Sequence, residues 1–201
     1  MSVDLGSIIR DRRTALGLEQ LDLADRVGTT ATQISRWENG KQEPAATNCR
    51  LLARALGLSV DELLGVVPIG LDLSGPWHAA WDTTRGGEPV IDRHEINATH
   101  RGVDFAFAAN GDYLWSGNLR YAEGSLMGNY LSTERDRLNR GALYFMLSDD
   151  AGAAIGRWSG LWADGIVGGG WGVLARDKGR ADRLLQIAMA DGPLTEWPDE
   201  Q

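Results

Sequence analysis

The 201-residue sequence predicts a multidomain α and β protein: five short helices, then an antiparallel eight-stranded meander barrel with a terminal helix. Three observations predict it. Apolar residues recur at helical spacing up to about residue 64 and at alternate positions from about residue 76. Between them GVVPIGLDLSGP (65–76) breaks the helical pattern with two Pro and three Gly. Composition changes there too, since seven of the eight Trp and 20 of the 26 Gly follow residue 66. The domain limits drawn from these signals are 1–66, a linker over 67–75, and 76–201.

The helices are expected near 4–16, 19–26, 30–38, 46–56 and 60–64. Leu5, Ile8 and Ile9, then Leu21, Ala24 and Val27, then Leu51, Leu52, Ala55 and Leu56 supply the apolar faces. Gly17, Gly28, Gly40 and Gly57 stand where these helices should stop, since glycine takes positive φ without a Cβ penalty.

Eight strands are expected at 76–84, 90–99, 103–109, 113–122, 125–133, 142–148, 153–163 and 166–175. Short connections such as AsnGlyAsp at 110–112 and AspGly at 164–165 make sequential neighbours antiparallel. Glycines at alternate positions, Gly156 and Gly160, then Gly168, Gly170 and Gly172, suit sharp bends where a sheet closes on itself. Eight strands are enough for a small barrel. A helix over 178–189 follows, with Leu184, Leu185, Ile187 and Ala188 on one side.

Charge narrows the function classes. The formal total of −8 argues against binding nucleic acid through bulk charge. Residues 1–66 carry only −1 of it and residues 67–201 carry −7, so the helical part keeps basic side chains for one face. The single cysteine, Cys49, forms no internal disulfide, no apolar run approaches a membrane span, and the first residues mix acids and bases; these features predict a cytoplasmic protein.

The most informative stretch is 20–39. Ala24 is small where two helices would cross, Gly28 can supply the turn, and Ile34 with Trp37 would bury the inner face of the next helix. That leaves Ala31, Thr32, Gln33, Ser35 and Arg36 outward, a face of short polar groups plus one guanidinium that fits a DNA major groove. With IleSerArgTrpGluAsnGlyLys (34–41) and AlaLeuGlyLeuSerValAspGluLeuLeu (55–64), residues 4–65 resemble the Cro/C1-type (XRE-family) helix-turn-helix regulators. The resemblance implies base contacts from Ala31, Thr32, Gln33 and Arg36. It implies phosphate contacts from Gln20, Thr30, Asn39 and Lys41, and a supporting ion pair between Arg13 and Glu38. The implied partner is double-stranded DNA, a palindromic operator read by a homodimer, with repression the expected output. Arg36 is the expected main reader, because a guanidinium can bond O6 and N7 of guanine together. Two departures predict modest affinity per monomer: Glu19 stands at the start of the second helix, where it repels a phosphate, and the GlnGluProAlaAla directly after Lys41 offers no arginine to the minor groove.

The second part looks like a lipocalin-like or avidin-like barrel at the level of fold. Trp77, Trp81, Trp158, Trp162 and Trp171 form a candidate pocket for a small molecule, since indoles offer flat apolar walls with one polar edge. Rings that simply fill the barrel are the competing expectation. No Ser/Lys peptidase segment, no phosphate loop and no metal-ligand spacing among His78, His94 and His100 is present, so neither an enzyme nor a cofactor or metal site is expected. The barrel is expected to sense a small molecule or to mediate dimerisation; a barrel that binds a partner protein, as in an antitoxin or a phage-defence regulator, is the alternative role.

Overall fold

The computed structural model describes residues 4–85, 87–109, 114–134, 137–161, 167–192 and 194–200. It divides into two compact units, Met1–Leu71 and Asp72–Gln201. The expected Trp162 and the AsnGlyAsp and AspGly turns lie outside the described residues.

The first unit has helices α1 (Leu5–Ala15), α2 (Gln20–Val27), α3 (Ala31–Glu38), α4 (Ala46–Leu56) and α5 (Val60–Leu63). Their ends follow local chemistry. Asp4 caps α1 by accepting from the Ser7 N–H, and Thr30 caps α3 by accepting from the Gln33 N–H at 3.2 Å. Ser59 and Glu62 form a reciprocal capping box on α5. Gly28 and Gly57 end α2 and α4 in the left-handed conformation, φ 74° and 66°. One core joins the helices: Ile9, Leu23, Ala24, Ile34, Leu52, Leu56 and Leu63 are fully excluded from solvent, and Trp37 lies among them. Cys49 is buried in the same core, which pushes its thiol pKa up.

The second unit is a closed barrel with strands in sequence order: β1 (Gly75–Arg85), β2 (Glu88–Arg101), β3 (Asp104–Ala109), β4 (Leu114–Ala122), β5 (Ser125–Glu134), β6 (Arg137–Leu147), β7 (Ala153–Leu161) and β8 (Val167–Ala175). All pairs are antiparallel, and β1 meets β8 over His78–Trp81 to close it. β6 begins five residues before its expected start. Backbone pairing with β5 out to Glu134↔Arg137 holds the polar stretch 137–141, which carries no alternating apolar signal.

The inner face is aromatic. Trp77, Phe105, Phe107, Trp115, Trp81 and Phe145 run in edge-on or tilted contacts with ring centroids 5.1–6.3 Å apart. The inner-face glycines do more than bend strands. A Cβ on Gly117 would stand 2.3 Å from the Phe107 ring, and one on Gly172 would stand 2.5 Å from Trp81, so each is a slot for an indole or phenyl. Outside, helix α6 (Lys178–Asp191) lays Ala181, Leu184, Leu185 and Ala188 over Ala80, Ile155, Val173 and Ala175. Leu194 and Trp197 of the tail pack against that layer. Arg180 fastens the tail, bonding Glu200 through two nitrogens at 2.7 Å and Asp150 at 2.8 Å. A hydrogen bond from Ser148, then one from the Gly152 N–H and the Arg180 charge, hold the Asp150 carboxyl down at about 2. No described helix is long and apolar enough to cross a membrane.

Candidate nucleic-acid interface

Helix α3 is fixed from beneath by a buried carboxylate. The Glu38 side chain is 1% exposed and accepts from Arg13 Nε at 2.6 Å, Arg13 Nη2 at 3.2 Å and Gln20 Nε2 at 2.8 Å. The bond to Glu38 raises the Arg13 pKa, while burial works against it. One carboxylate thus ties α1, the start of α2 and the end of α3 together. The implied Arg13–Glu38 pair is present in the geometry.

Two further residues of α1 serve the same end, and the sequence reading passed over both. Arg10 Nη2 donates to the Glu38 carbonyl at 2.5 Å and to Asn39 Oδ1 at 3.0 Å, placing a cation at the C-terminus of α3, where the dipole favours it. Gly6 permits the approach: a Cβ there would stand 2.6 Å from the Trp37 carbonyl and 2.9 Å from that of Glu38. Gly6, Arg10 and Arg13 lie at i, i+4 and i+7, one face of a helix. That stripe was the available signal.

With Ile34 and Trp37 buried, α3 turns Thr32 and Arg36 to solvent, with Ala31, Gln33 and Ser35 half-exposed beside them. Gln33 donates to Gln42 at 3.0 Å, which leans its amide toward the chain after the helix. Of the expected phosphate contacts, Lys41 is exposed and Thr30 is the cap of α3. Asn39 donates back to the Ser35 carbonyl at 2.7 Å, and Gln20 is committed to Glu38. Glu19 precedes α2, its N–H donating to Asp22 Oδ2 at 2.8 Å, so a carboxylate satisfies this helix start.

In the barrel the expected tryptophans separate. Trp77, Trp81 and Trp158 are buried on the inner face. Trp171 does not join them: it pairs with Arg157 in the β7/β8 ladder on the outer face, the guanidinium 4.6 Å from its ring. The correction follows from strand parity, since Gly170 and Gly172 take the inward positions on either side of it. Trp77 Nε1 donates to the Leu73 carbonyl and Trp158 Nε1 to that of Asp82, whereas Trp81 Nε1 and Trp115 Nε1 have no partner among the described residues. Trp115 was not among the expected pocket residues. Its alternation with Gly117 and Leu119 could have found it.

A short capped helix offering a polar face, set across a second helix and braced by a third, is a helix-turn-helix unit for DNA. The helix-turn-helix family model matches residues 9–63. Over 86 residues the chain is 34% identical to an uncharacterized transcriptional regulator in the ATPase CF(0) region of Rhodospirillum rubrum, an alignment covering 42% of this chain and 76% of that one. Among solved structures, the P22 c2 repressor in complex with synthetic operator 9T is 40% identical, covering 30% of this chain and 91% of that one with a TM-score of 0.29. Apo-HppE aligns across 87% of this chain and 98% of its own at 14% identity, with a TM-score of 0.31, too low to carry an argument. The chain belongs to the helix-turn-helix family, of the Cro/C1 type, and its function is DNA-binding transcription regulation.

Proposed function

We propose that the chain is an operator-binding regulator acting as a repressor, whose barrel senses a small molecule. Helix α3 enters the major groove with Thr32 and Arg36 at base edges, Ala31 and Gln33 beside them, and Lys41, Thr30 and Asn39 along the phosphates. The observation that carries this reading is the brace under α3: a three-donor buried carboxylate holds a helix whose Thr32 and Arg36 face solvent. Gln20 must share itself between Glu38 and a phosphate, so its contribution to affinity is small. The protein works in the cytoplasm as a homodimer on two half-sites about one helical turn apart, without enzymatic activity, cofactor or metal.

A gel shift against the DNA flanking the gene tests the reading. Arg36→Ala should cost about 1–3 kcal/mol and relax discrimination at one base position. Wild-type affinity and selectivity in that variant would remove Arg36 as the reader. A barrel that recruits a partner protein has its own supporting observation, exposed Met127, Leu131 and Tyr144 on neighbouring strands β5 and β6.

A further inference from the structure

We infer that the outer face of β4–β8 is a docking surface for an acidic amphipathic helix of a partner protein. The inference gives a chemistry to the partner-protein reading of the barrel and rests on it; operator binding by α3 stands apart from both. Register lays this face out in rows that cross the strands. One row runs Arg120, Met127, Tyr144, Arg157 and Trp171 from β4 to β8, each the direct partner of the next. A second, four residues along each strand, runs Ser116, Leu131, Arg140, Leu161 and Val167. Met127, Leu131, Tyr144, Leu161 and Val167 are 40–72% exposed, so five large apolar side chains stand in solvent on adjacent strands. On the neighbouring part of the barrel such a surface is covered, because α6 lies over Ala80, Ile155, Val173 and Ala175. A contiguous apolar patch left open marks an interaction site. Its make-up of Met, Tyr, Trp and Arg is that of a protein–protein interface core, from which Lys, Asp and Glu are depleted.

Charge selects the partner. Residues 67–201 carry −7, yet the described outward residues of β4–β8 include Arg120, Arg140 and Arg157 and no carboxylate. Arg120 and Arg140 form no ion pair among the described residues, and Arg157 lies over the Trp171 ring. The nearest carboxylate in register is Asp104 on β3, beside Arg120. Two copies placed face to face would bring their guanidiniums together with only that acid to offset them, which opposes a second copy of this chain as occupant. Leucine and valine side chains among the arginines oppose nucleic acid, whose interfaces are more polar. Shape then selects a helix. Between the two rows the side chains are short, with Asn129, Ala142, Ser159 and Gly169 in register from β5 to β8. Four residues at ~3.4 Å set the flanking rows about 14 Å apart, and five strands at ~4.8 Å span about 19 Å. One helix, about 10–12 Å wide and some 13 residues long, fits that space with carboxylates reaching the arginines on either side.

The test titrates the full chain, labelled with nitrogen-15, with two helical peptides of about 14 residues. Both carry leucines at i, i+3, i+4 and i+7, and they differ only in flanking Glu or Lys. The expected result is a saturable shift of the amides of 127–131, 140–144 and 157–161 with the glutamate peptide, those of α1–α3 staying still. The lysine peptide should bind at least tenfold more weakly, and Arg140→Glu with Arg157→Glu should invert that preference. Tyr144→Ala, which changes an exposed side chain, should weaken the glutamate peptide about tenfold. The proposal is overturned if the glutamate peptide leaves those amides unmoved, or if charge reversal leaves the preference unchanged. Equal binding of both peptides at this face overturns the acidic chemistry and keeps the partner-protein reading. Concentration-dependent shifts of the same amides in the peptide-free chain give the face to a second copy, and shifts there with duplex DNA of arbitrary sequence give it to nucleic acid. Either outcome overturns the proposal together with the reading it rests on.

Discussion

Removing the cation from the brace beneath α3 should unfold the helix-turn-helix locally while leaving the barrel intact. Arg13→Ala strands the Glu38 carboxylate, whose side chain is 1% exposed, with Gln20 as its one remaining side-chain donor. Breaking a buried ion pair from one side costs about 3–5 kcal/mol. Arg13 itself is 13% exposed and Gln20 still donates, so the lower end, about 3 kcal/mol, is expected. The companion Arg13→Met/Glu38→Leu removes both charges and should recover most of that loss, because the uncompensated carboxylate disappears with its partner. Hydrogen exchange on the full chain measures both effects residue by residue, and it avoids assigning one unfolding free energy to two units. Amides of α1–α3 should lose about 3 kcal/mol of protection in the single variant, and those of β1–β8 none. Loss below about 1 kcal/mol in Arg13→Ala, or a double variant no better than the single, would refute the assignment of Glu38 as the brace.

Three other outcomes follow from the geometry. Gly6→Ala forces a methyl against the Trp37 and Glu38 carbonyls, so it should destabilise the first unit by about 1–3 kcal/mol and weaken operator binding with no contacting residue changed; an unaltered thermal midpoint would contradict the close approach. Gly172→Ala drives a methyl into the Trp81 ring and should cost the barrel about 1–3 kcal/mol, read as lost near-ultraviolet dichroism at lower temperature; an unchanged spectrum and midpoint would show the ring has room to move. The tail latch should respond to acid. Glu200 and Asp150 both have lowered folded pKa values, from a bond to Arg180 and a bond to Ser148 respectively, so their contribution is complete above the ordinary carboxylate range near pH 4.5. It is lost as pH falls toward about 2, where Asp150 protonates. Exchange of the Trp197 indole N–H should quicken over that window in wild type, and be already fast and flat in Glu200→Gln.

The recognition unit was legible because its signals are local. Caps, stops and a 3.6-residue period place α1–α5 within two residues of their expected ends, and Ile34 and Trp37 fix which way α3 faces. That Trp77, Ala79 and Trp81 share one face of β1 was legible from alternation, and barrel closure decided that this face points inward. Trp171 was misread because a strand rich in both Gly and Trp offers two apolar parities, and only pairing with Arg157 on β7 decides between them. Gly6 and Arg10 escaped notice for a similar reason. A glycine and an arginine on a helix are unremarkable until another helix end arrives 25 or more residues later in the chain.

The sequence by itself determined the two classes of secondary structure, the place where one gives way to the other, and the polar face of α3, because period, turn residues and charge act over a few residues. The tertiary structure alone decided which donors are satisfied. Trp77, Trp81, Trp115 and Trp158 are chemically alike, and two find a backbone carbonyl while two have no partner among the described residues. That distinction depends on barrel closure and on where glycines open slots between strands, and no local pattern encodes it.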